Sequence, residues 1–141
     1  MNKQTVGITG TYLVAAELSR RDCIALVTIR NTKEIDILAS NPNSGEMVSI
    51  QVKTSQGQNK TKGKDYWILT KKDESRKHRH LFYVFVVLTE PPRYYVASSA
   101  SVARQIAEEE RKRIRHGRKP TNMRYWIANE KYLNKWKSLR I

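Results

Sequence analysis

Asp36, Gln51 and Lys53 lie in two apolar stretches separated by a turn, and their side chains are the ones in this region that could do chemistry. Ile35-Asp36-Ile37-Leu38-Ala39 and Ser49-Ile50-Gln51-Val52-Lys53 read as strands, and Asn41-Pro42-Asn43-Ser44-Gly45 between them reads as a tight turn. Side chains alternate faces along a strand, so Gln51 and Lys53 point one way while Ile50 and Val52 point the other. Folding symmetrically about Asn43-Ser44 sets Asp36 across from Gln51. A carboxylate, an amide carbonyl and an ammonium then converge on an otherwise apolar hairpin. That set suits attack of water on a phosphate diester. Asp36 is a hard anionic ligand for Mg²⁺, Gln51 a weaker neutral one, and Lys53 a cation to orient water or stabilise developing charge.

Residues 10–21, Gly-Thr-Tyr-Leu-Val-Ala-Ala-Glu-Leu-Ser-Arg-Arg, hold strong helix formers and an apolar arc. Wrapped at about 100° per residue, Glu17 falls between Leu13 and Val14, near the middle of that arc. A carboxylate facing the core needs a partner, and a metal ion or Lys53 would serve.

Downstream, residues 54–64 are polar, glycine-bearing and basic, which predicts a mobile loop beside the hairpin. Lys60, Lys62 and Lys64 could embrace a backbone phosphate there. Tyr66-Trp67-Ile68-Leu69 resumes a strand. Residues 81–88 are apolar throughout and read as a buried central strand, with Tyr94-Tyr95-Val96-Ala97 as its returning partner. His78 and His80 have no cysteine or further histidine nearby to complete a zinc set and read as surface residues. Ser98 or Ser99 caps a helix that ends near Gly117. Between residues 111 and 119, Arg111, Lys112, Arg113, Arg115, Arg118 and Lys119 form a basic cluster that suits phosphate contact and equally suits a solvated helix end. Residues 123–128 and 132–136 are too aromatic for a disordered arm and predict a strand and a short helix.

Composition points the same way. The 141 residues carry 27 Lys and Arg against 13 Asp and Glu, a formal charge of +14, so polyanions are the expected partners. A single cysteine, Cys23, fits a reducing, cytoplasmic setting. No apolar run is long enough to span a bilayer, and no membrane partner is expected. Nucleotide loops and serine-nucleophile motifs are missing, which argues against kinases, NTPases and esterases.

A helix glutamate, a strand aspartate and a Gln-x-Lys strand, in that order, resemble the PD-(D/E)XK or restriction-endonuclease-like nuclease superfamily, particularly its small Holliday-junction-resolvase-like members. The residues from Asn31 to Leu38 resemble the lead-in of such proteins. The match covers about the first half of the chain. It implies that Asp36, Gln51 and Glu17 hold Mg²⁺ or Mn²⁺, that Lys53 is the catalytic lysine, and that the strand after it extends the same sheet. Gln51 departs from the usual Asp or Glu and removes a negative charge from the metal site. The implied architecture is a single α/β domain over residues 1–141, a mixed β-sheet flanked by helices. The implied activity is metal-dependent hydrolysis of DNA, extending to junction or branched DNA, by a homodimer. The alternative is a DNA-binding protein that keeps the nuclease fold without cutting. A basic RNA-binding protein would explain the charge but not Glu17, Asp36 and Lys53 together.

Overall fold

Every residue from Leu81 to Val87 is buried, and a strand covered on both faces needs a packed layer on each side. A computed structural model describes residues 1–29 and 34–141. In chain order it contains α1 (Lys3–Arg20), β1 (Ile24–Val27), β2 (Ile37–Ser40), β3 (Met47–Ser55), β4 (Lys60–Thr61), β5 (Lys64–Thr70), β6 (Leu81–Val87), β7 (Arg93–Ser98), α2 (Ser99–Arg115) and β8 (Met123–Ile127). Short 3₁₀ turns cover Lys71–Glu74, Glu130–Tyr132 and Trp136–Leu139.

The central sheet has the order β1-β2-β3-β6-β7. It is antiparallel except between β3 and β6, which run parallel. A parallel pair needs a crossover connection, and here β4, β5 and the first 3₁₀ turn supply it. β4, β5 and β8 form a second, antiparallel sheet. The α/β class and the mixed sheet flanked by helices are therefore as the sequence implies. The expectation that the strand after Lys53 extends the same sheet is corrected. β5 joins the second sheet, because β6 already occupies the free edge of β3.

Alternate residues of β6 serve two cores, as the two-residue period of a strand requires. Phe82, Val84 and Val86 pack with Val14 and Leu18 of α1 and with Ile37, Ala39 and Ile50. Tyr83, Phe85 and Val87 pack with Trp67, Leu69, Trp126, Val102 and Ile106, beneath the second sheet and α2. The proposed loop over residues 54–64 shrinks on both sides: β3 continues to Ser55, and Lys60–Thr61 pairs with Lys64 and Asp65. Lys62 (φ 49°) and Gly63 (φ 78°) turn that hairpin.

Helix α1 starts earlier than its apolar arc suggests. Asn2 caps it, its side chain accepting the Thr5 N–H at 2.8 Å, which satisfies one of the unpaired amides of the first turn. Gly10 lies where α1 crosses β3, and a Cβ built on it would run into Thr54 Oγ1 and stand 2.8 Å from Thr54 Cβ. Gly7, one turn earlier, has nothing within 4 Å of such a Cβ. Two glycines of one helix should thus respond with opposite sign. Gly7→Ala stabilises by about 0.5–1 kcal/mol through backbone entropy, whereas Gly10→Ala costs about 1–3 kcal/mol through overpacking. Thermal melts of the two variants beside the parent check this.

Candidate active site

β2 and β3 pair Ile37 with Ile50 and Ser40 with Met47, which is the register expected from the sequence, and Asp36 lies opposite Gln51. Just beyond β2, Asp36 still pairs through its backbone: its N–H donates to Ile50 O, and its carbonyl accepts from Thr28 N, both at 2.9 Å. One residue further along β3 its side chain takes over, Oδ2 accepting the Val52 N–H at 2.7 Å. The carboxylate replaces the main-chain acceptor that β2 no longer offers. Its other oxygen makes no hydrogen bond to a described residue. Burial pushes the Asp36 pKa up, and the Val52 N–H and the Lys53 ammonium pull against that rise.

Gln51 is buried, and its Oε1 accepts from Arg76 Nη1 at 2.6 Å. Arg76 also reaches Asp73 Oδ1 at 3.3 Å and Glu34 Oε2 at 3.1 Å. Asp73 in turn accepts from the Tyr83 hydroxyl at 2.8 Å and from Thr70 N at 2.9 Å. Burial alone would raise the Asp73 pKa, but the Thr70 N–H, the Tyr83 hydroxyl and Lys53 together hold it below 3.8. Lys53 is half-buried, and its charge acts on both Asp36 and Asp73. One ammonium therefore acts on two carboxylates, one whose pKa is lowered and one whose pKa is raised.

Asp73 was missed in the sequence, as were Arg76 and Tyr83. The signal available was Thr70-x-x-Asp73, a helix-start pattern directly after a strand; nothing local pairs Arg76 with Gln51. The depressed Asp73 pKa has a pH signature. A lowered folded-state pKa contributes stability that is present above the unfolded value of 3.8 and is lost as pH falls through the folded value. Asp73→Asn should therefore melt well below the parent at neutral pH, with the gap closing below about pH 4. Melting temperatures across pH 2.5–8 measure it.

Glu17 is not brought to this site. It lies at the C-terminal end of α1, bonded to Arg20 at 3.0 Å and to Arg21 at 2.5 Å. The buried stripe of α1 is Val6, Gly10, Val14 and Leu18, which leaves Glu17 on the flank, where the two arginines are its partners. The part of α1 facing Asp36 presents Gln4, Gly7 and Thr11, which line a cavity of about 450 Å³ with Asp36 and Val52. The polar side chains that α1 offers to the cavity are those of Gln4, Thr11 and Tyr12, an amide and two hydroxyls, with no carboxylate. Among the described residues no three His, Cys, Asp or Glu side chains gather so as to hold a metal. Residues 31–33 of the lead-in lie outside the described residues.

The two basic segments meet. Lys62 and Lys64 of the β4–β5 hairpin and Lys112, Arg113 and Arg118 at the end of α2 line one groove of about 400 Å³. Arg113 lies over the Tyr125 ring, 4.6 Å from its centroid. Lys60 is occupied by Asp65 at 2.8 Å. Arg111, Arg115 and Lys119 are exposed close by in sequence but do not line the groove. Ser98 caps α2 by accepting Ser101 N at 3.2 Å, and the helix ends before Gly117, as expected.

A β-hairpin carrying Asp36 and Gln51-x-Lys53 lies in a mixed sheet between helices, within an α/β fold. In particular, the chain resembles the solved structure of a bacterial homing endonuclease, I-Ssp6803I, with a TM-score of 0.62 over 99% of this chain and 92% of that one. Their sequences are 13% identical, so the likeness is one of fold. No protein-family model and no curated protein matches the sequence. Among the described residues no helix is long and apolar enough to cross a membrane.

Proposed function

We propose that residues 1–141 act as one nuclease domain, a metal-dependent DNA endonuclease with a PD-(D/E)XK-type centre in which glutamine replaces the second acid. The observation that supports this reading is that Asp36, opposite Gln51 in register, accepts the N–H of Val52, the residue between Gln51 and Lys53, on a fold shared with a bacterial homing endonuclease. Mg²⁺ or Mn²⁺ fits the donors present. Asp36 has one carboxylate oxygen to spare, the Gln51 carbonyl keeps a second lone pair, and Mg²⁺ is commonly held by one or two carboxylates completed by water and substrate phosphate. The ion, once bound, would polarise the scissile phosphate and supply activated water. Lys53 orients the attacking water and neutralises charge that builds on the phosphate. Arg76 fixes the Gln51 side chain, and Lys62, Lys64, Lys112, Arg113 and Arg118 take backbone phosphates of the same duplex. Cutting both strands calls for two centres, so the working form is a homodimer, with branched DNA such as a four-way junction among its substrates.

A second reading, a DNA-binding protein that does not cut, is favoured by one observation: the neutral Gln51 carbonyl is already held by the Arg76 cation at 2.6 Å. Labelled linear, supercoiled and four-way-junction DNA, each incubated with Mg²⁺, Mn²⁺ or EDTA, separates the two. Metal-dependent products establish the nuclease. Salt-sensitive binding without products in either metal establishes the second reading.

A further inference from the structure

A cleft of about 750 Å³ opens at the other end of the sheet, where β3 and β6 begin, β7 ends and α2 starts, with the C-terminal 3₁₀ turns as its outer wall. Val48 in this cleft lies five positions before Lys53 along β3, roughly 16 Å of extended chain. Arg79, His80, Lys131, Lys135, Lys137 and Arg140 line it, against one acidic side chain, that of Glu46. All six are exposed. Among the described residues none of them forms an ion pair. The cleft also receives Ser98, the cap of α2, and Ser101 from its first turn, and α2 is a 17-residue helix whose positive dipole end faces the same space. The floor is apolar: Met47 offers exposed apolar surface there, and Val48, Phe82, Val96, Leu139 and Tyr132, each less than a tenth exposed, close it from below.

Five unpaired cations, Arg79, Lys131, Lys135, Lys137 and Arg140, drawn from two separate stretches of chain around a concave apolar floor, match one class of ligand. A single strand of nucleic acid has phosphates for the rim and unpaired base faces for the floor. A duplex hides its base faces and cannot use the floor. The geometry points to a second nucleic-acid site: this cleft binds single-stranded DNA through its phosphates, apart from the Asp36–Lys53 centre. The inference does not depend on cleavage, since binding is read without metal.

The test uses the whole 141-residue protein and a fluorescent thymidine 15-mer, with anisotropy measured in EDTA over a series of salt concentrations. Lys135→Glu/Lys137→Glu should bind more than tenfold more weakly than the parent, and its salt slope should fall by about 1.4, for two phosphate contacts on a single strand. Lys3→Glu/Arg104→Glu, the same change of charge at exposed positions outside the cleft, should lose less than threefold. p-Benzoylphenylalanine placed at exposed Ser138 in the cleft should cross-link to the oligonucleotide, while the same probe at Ser19 on α1 should not. Equal losses from the two double variants, an unchanged affinity in the first, or cross-linking no stronger from position 138 than from position 19 each overturns the inference. So does loss of inorganic phosphate binding in Lys135→Glu/Lys137→Glu with oligonucleotide affinity intact, which would mark a small-anion site.

Discussion

If the protein is the nuclease proposed above, Asp36→Asn should lower its metal-dependent DNA cleavage by about a thousandfold, the scale of losing one charged group from a preorganised centre, and leave DNA affinity in EDTA within a factor of about three. Asparagine is the informative replacement. Its carbonyl can still accept the Val52 N–H, so the hairpin keeps its last hydrogen bond while the anionic ligand is removed. Asp36→Ala removes both and adds about 1–3 kcal/mol of instability from the orphaned amide. Lys53→Ala should match Asp36→Asn in cleavage. The double variant should be no slower than the slower single one, because groups acting on one transition state are not additive. Single-turnover rates on one labelled substrate, with affinities from anisotropy, check the set. Cleavage that survives both changes would overturn the mechanism.

Phe85→Ala costs about 3–5 kcal/mol of folding stability, the range for deleting a large buried aromatic side chain. Phe85 is completely buried. Its ring stacks on Trp126 with centroids 4.0 Å apart and planes 1° off parallel, and Trp67 lies 5.2 Å away. One truncation therefore strips a partner from both β5 and β8 as well as leaving a void. In the β3–β6 register Phe85 is the neighbour of Lys53, so the strand that carries the lysine loses its support. Phe85→Leu, which refills most of the volume, should recover more than half the loss. Urea unfolding of the three proteins gives the comparison.

Local signals made the hairpin legible. A two-residue period, a turn rich in Asn, Pro and Gly, and the symmetry of the apolar flanks together fix one register, since a slip by one residue would turn Ile37 and Ile50 to the wrong face. The charged end of α1 was harder. A helical wheel ranks directions by average hydrophobicity, and with Gly10 on the buried stripe the real contact face carries little apolar weight, so the wheel sets Glu17 closer to the core than its pairing with Arg20 and Arg21 allows. The partners of Gln51 could not be read locally, because Arg76 lies 25 residues away and meets it only after β6 has inserted beside β3. The second sheet escaped for the same reason, since nothing within residues 64–70 identifies β8 as the partner of β5. Charge density marked Lys62, Lys64, Lys112, Arg113 and Arg118, but their common groove comes from tertiary packing.

The way β6 divides its side chains between two cores also gives the molecule unequal optical halves. Trp67 and Trp126 both lie in the compartment beneath the second sheet, whereas the compartment under α1 holds Trp136 alone. Indole emission and near-ultraviolet dichroism thus report mainly on the aromatic compartment. Loosening of α1, the helix that walls the Asp36 cavity, is nearly silent in those signals unless Trp136 is followed separately, through the cation that Arg21 places 4.9 Å from its ring.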